Sequence, residues 1–151
     1  MLKLWEFIMS LFQEETKQII EDSKDKVVCR YTLIDDLNHY AEGELYFQGE
    51  IFKFASGGAG KGYAERGHYK GYKLLQETRT AFSMFNFGWQ VSLEAQFKTE
   101  RWGIAIHPNG NSKLTKGCFG ILFESLEENV RCHNLFRDYF DKSNILNVEV
   151  V

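Results

Sequence analysis

The chain has few of the features that mark several common classes of protein. It contains one proline in 151 residues, and its three cysteines are an odd number, which excludes a framework built only from disulfides. Acidic residues outnumber basic residues by 21 to 18, so the basic excess of a nucleic-acid-binding protein is missing and we expect no nucleic-acid partner. No apolar run reaches the length of a membrane span, so we expect no transmembrane segment.

Aromatic residues are abundant, with 13 phenylalanines, 7 tyrosines and 3 tryptophans, and they favour a β-rich core in a single domain. The N-terminal apolar stretch contains Glu6 and lacks a small-residue cleavage site, so we expect no cleavable signal peptide. Residues 1–26 instead predict an amphipathic helix that packs on the body of the protein, with docking to a membrane or a delivery partner as the alternative. Its predicted apolar face consists of Leu4, Ile8, Leu11, Phe12 and Ile19.

Alternating apolar residues between turn signals predict a series of short strands in the remaining residues, 27–151. The predicted strands are 27–34, 44–48, 50–55, 68–76, 90–97, 102–106, 118–123 and 145–151. The aperiodic aromatic segment 77–88 predicts a covering loop. Ser125 and Glu128 have the spacing of a capping box, and they predict a helix to residue 141 with Leu126, Val130, Phe136 and Phe140 inside. The expected fold is a mainly β, sandwich-like domain with a helix near each end.

A histidine and a cysteine stand at the ends of two apolar strands. His107 ends one strand and Cys118 begins the next, eleven positions later, so a hairpin-like connection would bring their side chains together. An imidazole beside a thiol can remove its proton, which makes the thiol a nucleophile. Gly117 allows a tight turn in which amide N–H groups face a developing oxyanion. Thr115, Asn109, Asn111 or a backbone carbonyl could orient the imidazole.

Other candidate motifs have weaker support. The glycine-rich loop at residues 57–62 does not fit a phosphate-binding loop, because Ala55 and Gly62 occupy positions that require a glycine and a hydroxyl residue. It predicts a hairpin connection or a lip of the substrate cleft. A zinc site would have to draw on Cys118, His107, Cys132 and His133, which lack the paired short spacing of structural zinc sites. Cys29 lies in an apolar strand and is expected to be buried.

The segment His107-Pro…Thr115-Lys-Gly117-Cys118-Phe-Gly-Ile resembles the active-site pattern of the L,D-transpeptidases, the cysteine enzymes that remodel peptidoglycan. The likeness is greatest to the compact branch that includes secretion-delivered effectors. Upstream, Ser56-Gly57 and Gly67-His-Tyr69 are similar to a Ser-Gly turn and a Gly-x-Tyr strand of that family, so the resemblance extends over residues 43–123. Larger housekeeping members typically have a second His and an Arg where this chain has Lys116 and Gly120.

The resemblance implies a sandwich-like L,D-transpeptidase catalytic fold and a specific reaction. Cys118 would attack the carbonyl of the third residue of a peptidoglycan stem peptide, with His107 as base, D-alanine as leaving group, and an amine or water as acceptor. The Gly117 and Cys118 amides would be oxyanion donors. No metal or organic cofactor is implied. The residues expected to contact substrate are Thr115, Ser56, Gly57, Tyr69, Trp102 and Asn109.

The expected site of action is the periplasm or cell wall, which the chain would reach through a secretion machine or during phage lysis. A delivery or immunity protein is therefore an expected partner. Two other hypotheses remain open at this stage. One is a non-catalytic module that binds cell-wall peptide or protein on the same fold, and the other is a thiol hydrolase that acts on a different amide.

Overall fold

The computed structural model describes residues 3–60, 62–110 and 115–151. The elements in chain order are α1 Leu4–Asp22, β1 Val27–Asp35, β2 Tyr40–Phe47, β3 Glu50–Gly57, β4 Gly67–Glu77, a 3-10 helix Thr80–Phe82, β5 Ser83–Met84, β6 Phe87–Ala95, β7 Ala105–Pro108, β8 Phe119–Ile121, α2 Leu126–Phe140 and β9 Leu146–Val150. The predicted strands therefore form, and the predicted covering loop contains the 3-10 helix and β5. β7 starts later than predicted, because Gly103 has a φ of +72° and interrupts extended backbone.

The strands form one sheet that closes on itself. Their order is β4-β9-β1-β2-β3-β8-β7-β6, and a β4–β6 pairing joins the two ends into an eight-stranded barrel, with β5 added to β6. Closure pairs the edge strands, which would otherwise expose free N–H and C=O groups. The prediction of a mainly β fold with a helix near each end is confirmed. The sheet does not divide into the two clear layers that a sandwich-like fold would have.

The barrel interior is filled largely by aromatic side chains. Phe54 and Phe119 meet edge to face at 5.4 Å between ring centroids, and both are fully buried. The ring of Phe136 on α2 stacks on Phe47 of β2 at 4.8 Å, and it also contacts Trp89 at 5.5 Å. These contacts attach α2 to the barrel through its apolar core.

Helix α2 begins as predicted but presents a different inner face. The Ser125 hydroxyl accepts a hydrogen bond from the Glu128 amide at 3.1 Å, as a capping residue should. The residues buried on the helix are Asn129, Cys132, His133 and Phe136. Of the predicted inner face, Phe136 is buried and Leu126 is exposed. The helix is rotated in this way because Asn129 binds the Trp89 indole N–H at 2.7 Å and two carbonyls of the β5–β6 hairpin.

Helix α1 contacts the barrel mainly near its C-terminal end. Ile19 is buried against Val28 and Tyr46 on the outer surface of β1 and β2. The packing predicted for the whole apolar face is wrong for its N-terminal half, where Leu4, Ile8, Leu11 and Phe12 are at least half exposed. Within the described ranges, neither helix combines the length and the apolarity that crossing a membrane requires.

Candidate active site

His107 and Cys118 lie on the same outer face of two neighbouring strands. Ile106 and Phe119 point into the core, so the alternation of strand side chains turns their neighbours outward. β7 and β8 are parallel, with His107 opposite Gly120, and Cys118 is two residues before Gly120. The hairpin-like connection predicted between them is therefore wrong. The chain instead crosses over from the end of β7 to the start of β8, and it still places the two side chains diagonally across one strand pair.

Both side chains line a cavity of about 400 Å³. Its walls come from the strand pair, the crossover, the 3-10 helix and the glycine-rich loop after β3. The lining residues among those described are Ala59, Ala81, Phe82, Gly103, His107, Asn109, Thr115, Lys116 and Cys118. The glycine-rich loop is not the predicted hairpin connection, because β3 and β4 do not pair with each other, and it contributes Ala59 to the cavity wall. Lys61, the lysine that a phosphate-binding loop would use, lies outside the described residues.

The His107 imidazole is held as a neutral base. Its Nδ1–H donates to the Pro108 carbonyl oxygen at 2.7 Å, which fixes the tautomer and leaves Nε2 as the acceptor. The Phe82 ring packs edge to face on the imidazole at 4.4 Å. Burial lowers the pKa of His107 to about 4, against smaller opposing effects of the Pro108 carbonyl and the Glu77 carboxylate. Of the groups predicted to orient the imidazole, the backbone carbonyl does so, and Asn111 lies outside the described residues.

The Cys118 thiol contacts the backbone at the start of β7. It donates to the Gly103 carbonyl oxygen at 3.5 Å, and the Ala105 amide faces the sulfur. Burial raises the pKa of the thiol above its usual value, while the Ala105 amide opposes that rise. The side chain is half-buried rather than enclosed. At neutral pH the site therefore holds a protonated thiol and a neutral imidazole.

Thr115 positions the turn that carries Cys118. Its Oγ1 accepts hydrogen bonds from the Gly57 amide at 2.9 Å and the Gly117 amide at 3.2 Å, and it donates to the Cys118 carbonyl at 3.0 Å. The Gly57 carbonyl in turn accepts from the Thr115 amide at 2.8 Å. Gly117 has a φ of +110°, as the tight turn requires. Because its amide is engaged by Thr115, Gly117 is not a free oxyanion donor in this structure.

Apart from Asn109, the other predicted substrate contacts do not line the cavity of His107 and Cys118. They are buried and support the backbone, or they line a second groove. Ser56 is fully buried and accepts a hydrogen bond from the Ala64 amide at 2.9 Å, so it supports the glycine-rich loop from beneath. Tyr69 is buried and donates to the Glu65 carbonyl at 2.6 Å. Trp102 is 85% exposed and lines, with Tyr69, a groove that meets the cavity of His107 and Cys118 at Gly103.

Several contributors to the site could not be singled out from the sequence. Phe82 covers His107, but its only sequence signal was the aromatic character of the segment 77–88. Gly103 and Ala105 contact the thiol through backbone atoms, which carry no residue-type signal. Within the described ranges, no group of three or more His, Cys, Asp or Glu side chains is arranged to hold a metal ion.

Comparison with protein-family models, with curated proteins and with solved structures found no match to this chain. The function therefore has to be inferred from the site itself.

Proposed function

We propose that this protein is a cysteine acyltransferase or peptidase of the L,D-transpeptidase type, acting on peptidoglycan stem peptides through a Cys118 acyl-enzyme. One observation carries the proposal. Cys118 and His107 share one face and one cavity, and the Pro108 carbonyl fixes the imidazole with Nε2 as the acceptor nitrogen, which has no partner among the described residues. A nucleophile, a base and a group that orients the base are the parts that amide acyl transfer needs.

The proposed reaction has two steps. As Sγ attacks the amide carbonyl, the thiol proton moves to Nε2 of His107 and a carbon–sulfur bond forms. Collapse of the tetrahedral intermediate breaks the carbon–nitrogen bond, and the imidazolium returns the proton to the leaving amine. An amine or a water molecule then attacks the thioester, which gives a new amide or a free acid and regenerates the thiol. The remaining expected oxyanion donor is the Cys118 amide, since the Gly117 amide is bonded to Thr115.

The pKa directions indicate when the proton moves. The thiol pKa is raised, and the imidazole pKa is lowered to about 4. A thiolate–imidazolium pair is therefore disfavoured in the free protein. We expect the proton to transfer during the attack on bound substrate, when a developing negative charge on the carbonyl oxygen offsets the cost.

The finer fold assignment and the location also belong to this proposal. The mainly β architecture, with a histidine strand beside a cysteine strand, supports a catalytic domain of the L,D-transpeptidase type over residues 27–151, with residues 1–26 as the appended helix, although its sheet closes into a barrel and does not form a two-layer sandwich. Peptidoglycan lies outside the cytoplasm, so we propose that the chain acts in the periplasm or cell wall after delivery by a secretion machine or phage lysis. A delivery or immunity protein would be its protein partner.

The reaction is tested with purified tetrapeptide muropeptides, incubated with wild-type protein or Cys118→Ala and analysed by mass spectrometry. We expect loss of D-alanine, exchange of D-alanine, or formation of cross-linked dimers, and none of these with the variant. Substrates with each type of diamino acid at the third position should be included. If neither type changes with folded wild-type protein, the proposed activity is wrong.

One observation favours a second candidate, a binding module without catalysis. The Cys118 thiol donates its hydrogen bond to the Gly103 carbonyl and not to His107, so the proposed nucleophile and base are not engaged with each other. A binding module would retain stem-peptide affinity in wild type and in Cys118→Ala, with no product from either. The third hypothesis, a thiol hydrolase acting on another amide, predicts a Cys118-dependent acyl-enzyme with a peptide or amide outside the peptidoglycan series.

A further inference from the structure

Asn109 is a buried polar residue with an unused hydrogen-bond donor. Its side chain is 6% exposed, and Nδ2 is the only buried side-chain nitrogen or oxygen of the described residues that has no hydrogen-bond partner. Buried polar groups in proteins are nearly always paired, so an unpaired one calls for an explanation at the site where it lies. Asn109 lines the cavity that contains Cys118 and His107.

The side chain of Asn109 lies over the strand pair that carries His107 and Cys118. Its backbone follows β7 and donates to the Ile121 carbonyl at 2.9 Å. Its side chain, however, lies over Gly120, where an added Cβ would be only 2.7 Å from Nδ2. Gly120 is opposite His107 and two residues after Cys118 on the same face. The Asn109 side chain therefore occupies the space over Gly120 that a larger residue at position 120 would need, beside His107 and two residues from Cys118.

The charge of the cavity favours an anionic group beside this amide. Within the described part of the chain, Lys116 is the only residue lining the cavity that carries a full charge at neutral pH, since His107 is neutral. An unpaired N–H donor and a lysine ammonium are both suited to a carboxylate, which accepts charge-assisted hydrogen bonds.

We propose that Asn109 Nδ2, with Lys116 at the rim, binds the terminal carboxylate of the residue that leaves when Cys118 attacks. Cys118 immediately precedes β8, and two residues of extended chain separate it from Gly120 by roughly 6.6 Å. The carboxylate of the residue after an attacked carbonyl lies about 3.8 Å further along the peptide, and a hydrogen bond adds about 2.9 Å. The two lengths are of the same order, so a carboxylate over Gly120 is within reach of a peptide that Cys118 attacks. Asn109 is thus a specificity-determining residue that selects peptides ending one residue beyond the scissile bond.

This inference rests on the proposed function, and a substrate–variant cycle tests it separately. Turnover is measured for a tetrapeptide with a free terminal carboxylate and for the same peptide with a terminal carboxamide. Wild type should prefer the carboxylate in kcat/KM by roughly 10- to 100-fold, the worth of one hydrogen bond to a charged group. Asn109→Ala should lower kcat/KM for the carboxylate peptide to that of the carboxamide, which itself changes little. N109D should be lower still for the carboxylate, because its own carboxylate repels the substrate.

A matched control is Asn144→Ala, an exposed asparagine between α2 and β9 that should keep the full preference. Unfolding midpoints show whether each variant is folded. If Asn109→Ala slows both peptides equally, or keeps the preference, Asn109 has only a structural role and the inference is wrong.

A binding measurement keeps the two proposals apart. Calorimetry with Cys118→Ala protein compares the affinities of the same two peptides without turnover. Suppose that the wild type gives no product, that Cys118→Ala binds the carboxylate peptide more tightly than the carboxamide peptide, and that adding Asn109→Ala removes this difference. The carboxylate site would then be supported and the proposed catalysis would be wrong. Equal affinities for both peptides would overturn the carboxylate site whatever the catalytic result.

Discussion

Two buried histidines differ in the hydrogen bonding of Nε2. One is His107, which shares a cavity with Cys118, and the other is His133, which follows Cys132 in the sequence. His107 and His133 are 4% and 7% exposed, and in both the Nδ1–H is donated, to the Pro108 carbonyl and to the Asn134 side-chain oxygen respectively. The Nε2 of His133 accepts a hydrogen bond from the Gln76 amide at 2.8 Å. Among the described residues Nε2 of His107 has no such partner, and the ring lines a cavity.

The two cysteines also differ, in how far each is buried. Cys132 is completely buried in the core under α2, and burial raises its pKa well above the usual value. Cys118 is half-buried and lines the cavity with His107. Burial of a histidine–cysteine pair therefore does not by itself indicate chemistry. Access to a shared cavity is what distinguishes His107 and Cys118, and the predictions below test whether that difference decides the function of each pair.

The largest expected difference is between the two cysteines. Cys118→Ala should reduce turnover of tetrapeptide muropeptides by at least about 10³-fold, because the acyl-enzyme cannot form. Cys132→Ala removes a sulfur atom from the core, so it should lower the free energy of unfolding by about 1–3 kcal/mol and leave kcat/KM within a few-fold. Product formation and denaturant unfolding are measured on both. Equal loss of activity in the two folded variants would contradict a catalytic role for Cys118 and a structural role for Cys132.

The two histidines should separate in the same way with a smaller effect. His107→Gln removes the proposed base and should lower kcat by roughly 10²- to 10⁴-fold. His133→Gln disturbs the hydrogen bonds to Gln76 and Asn134 and should cost about 1–3 kcal/mol of stability without a comparable loss of kcat. Steady-state kinetics and urea unfolding on both variants distinguish the roles. A His133→Gln protein that is stable but inactive would indicate that His133, and not His107, is needed for the reaction.

The sequence predicted the local structure of this protein better than its long-range pairing. Strand segments and the Ser125 cap carry their own signals, in the alternation of apolar residues and in the hydroxyl at the helix start. The parallel pairing of β7 with β8 carries no such signal, because a short connection between two apolar segments favours a hairpin. The inner face of α2 was mispredicted because a polar residue, Asn129, is buried there by its bond to Trp89.

The candidate site shows the same limit. His107, Cys118 and Thr115 stand out by residue type and spacing, and the structure brings all three to one cavity. The engagement of the Gly117 amide by Thr115 depends on the side-chain rotamer of Thr115, which a sequence does not reveal. The unpaired Asn109 amide depends on the register that sets Gly120 beneath it. Residue types could be predicted, but hydrogen-bond partners required the tertiary structure.

Stability should depend on pH through His107. Its pKa is about 4 in the folded protein and about 6.5 in the unfolded chain, so between these values the unfolded chain binds the extra proton. The free energy of unfolding should therefore fall as the pH decreases from 6.5 to 4, by roughly 3 kcal/mol from this residue. His107→Gln should lack that component. Urea unfolding of both proteins at several pH values in this range gives the difference, and parallel curves would show that the imidazole pKa is not depressed.

The smallest effect is expected in the alkylation of Cys118 in the free protein. Cys29 and Cys132 are fully buried, so iodoacetamide should label Cys118 first, and the labelled residue can be identified by mass spectrometry. Because burial raises the pKa of this thiol, labelling at pH 7 should be slower than for an exposed peptide cysteine, and it should accelerate as the pH rises beyond the usual thiol pKa. His107→Gln should change the rate by no more than a few-fold, since the thiol is bonded to the Gly103 carbonyl. A tenfold slowing in that variant would instead mean that a thiolate–imidazolium pair already exists before substrate binds, and that proton transfer precedes the attack.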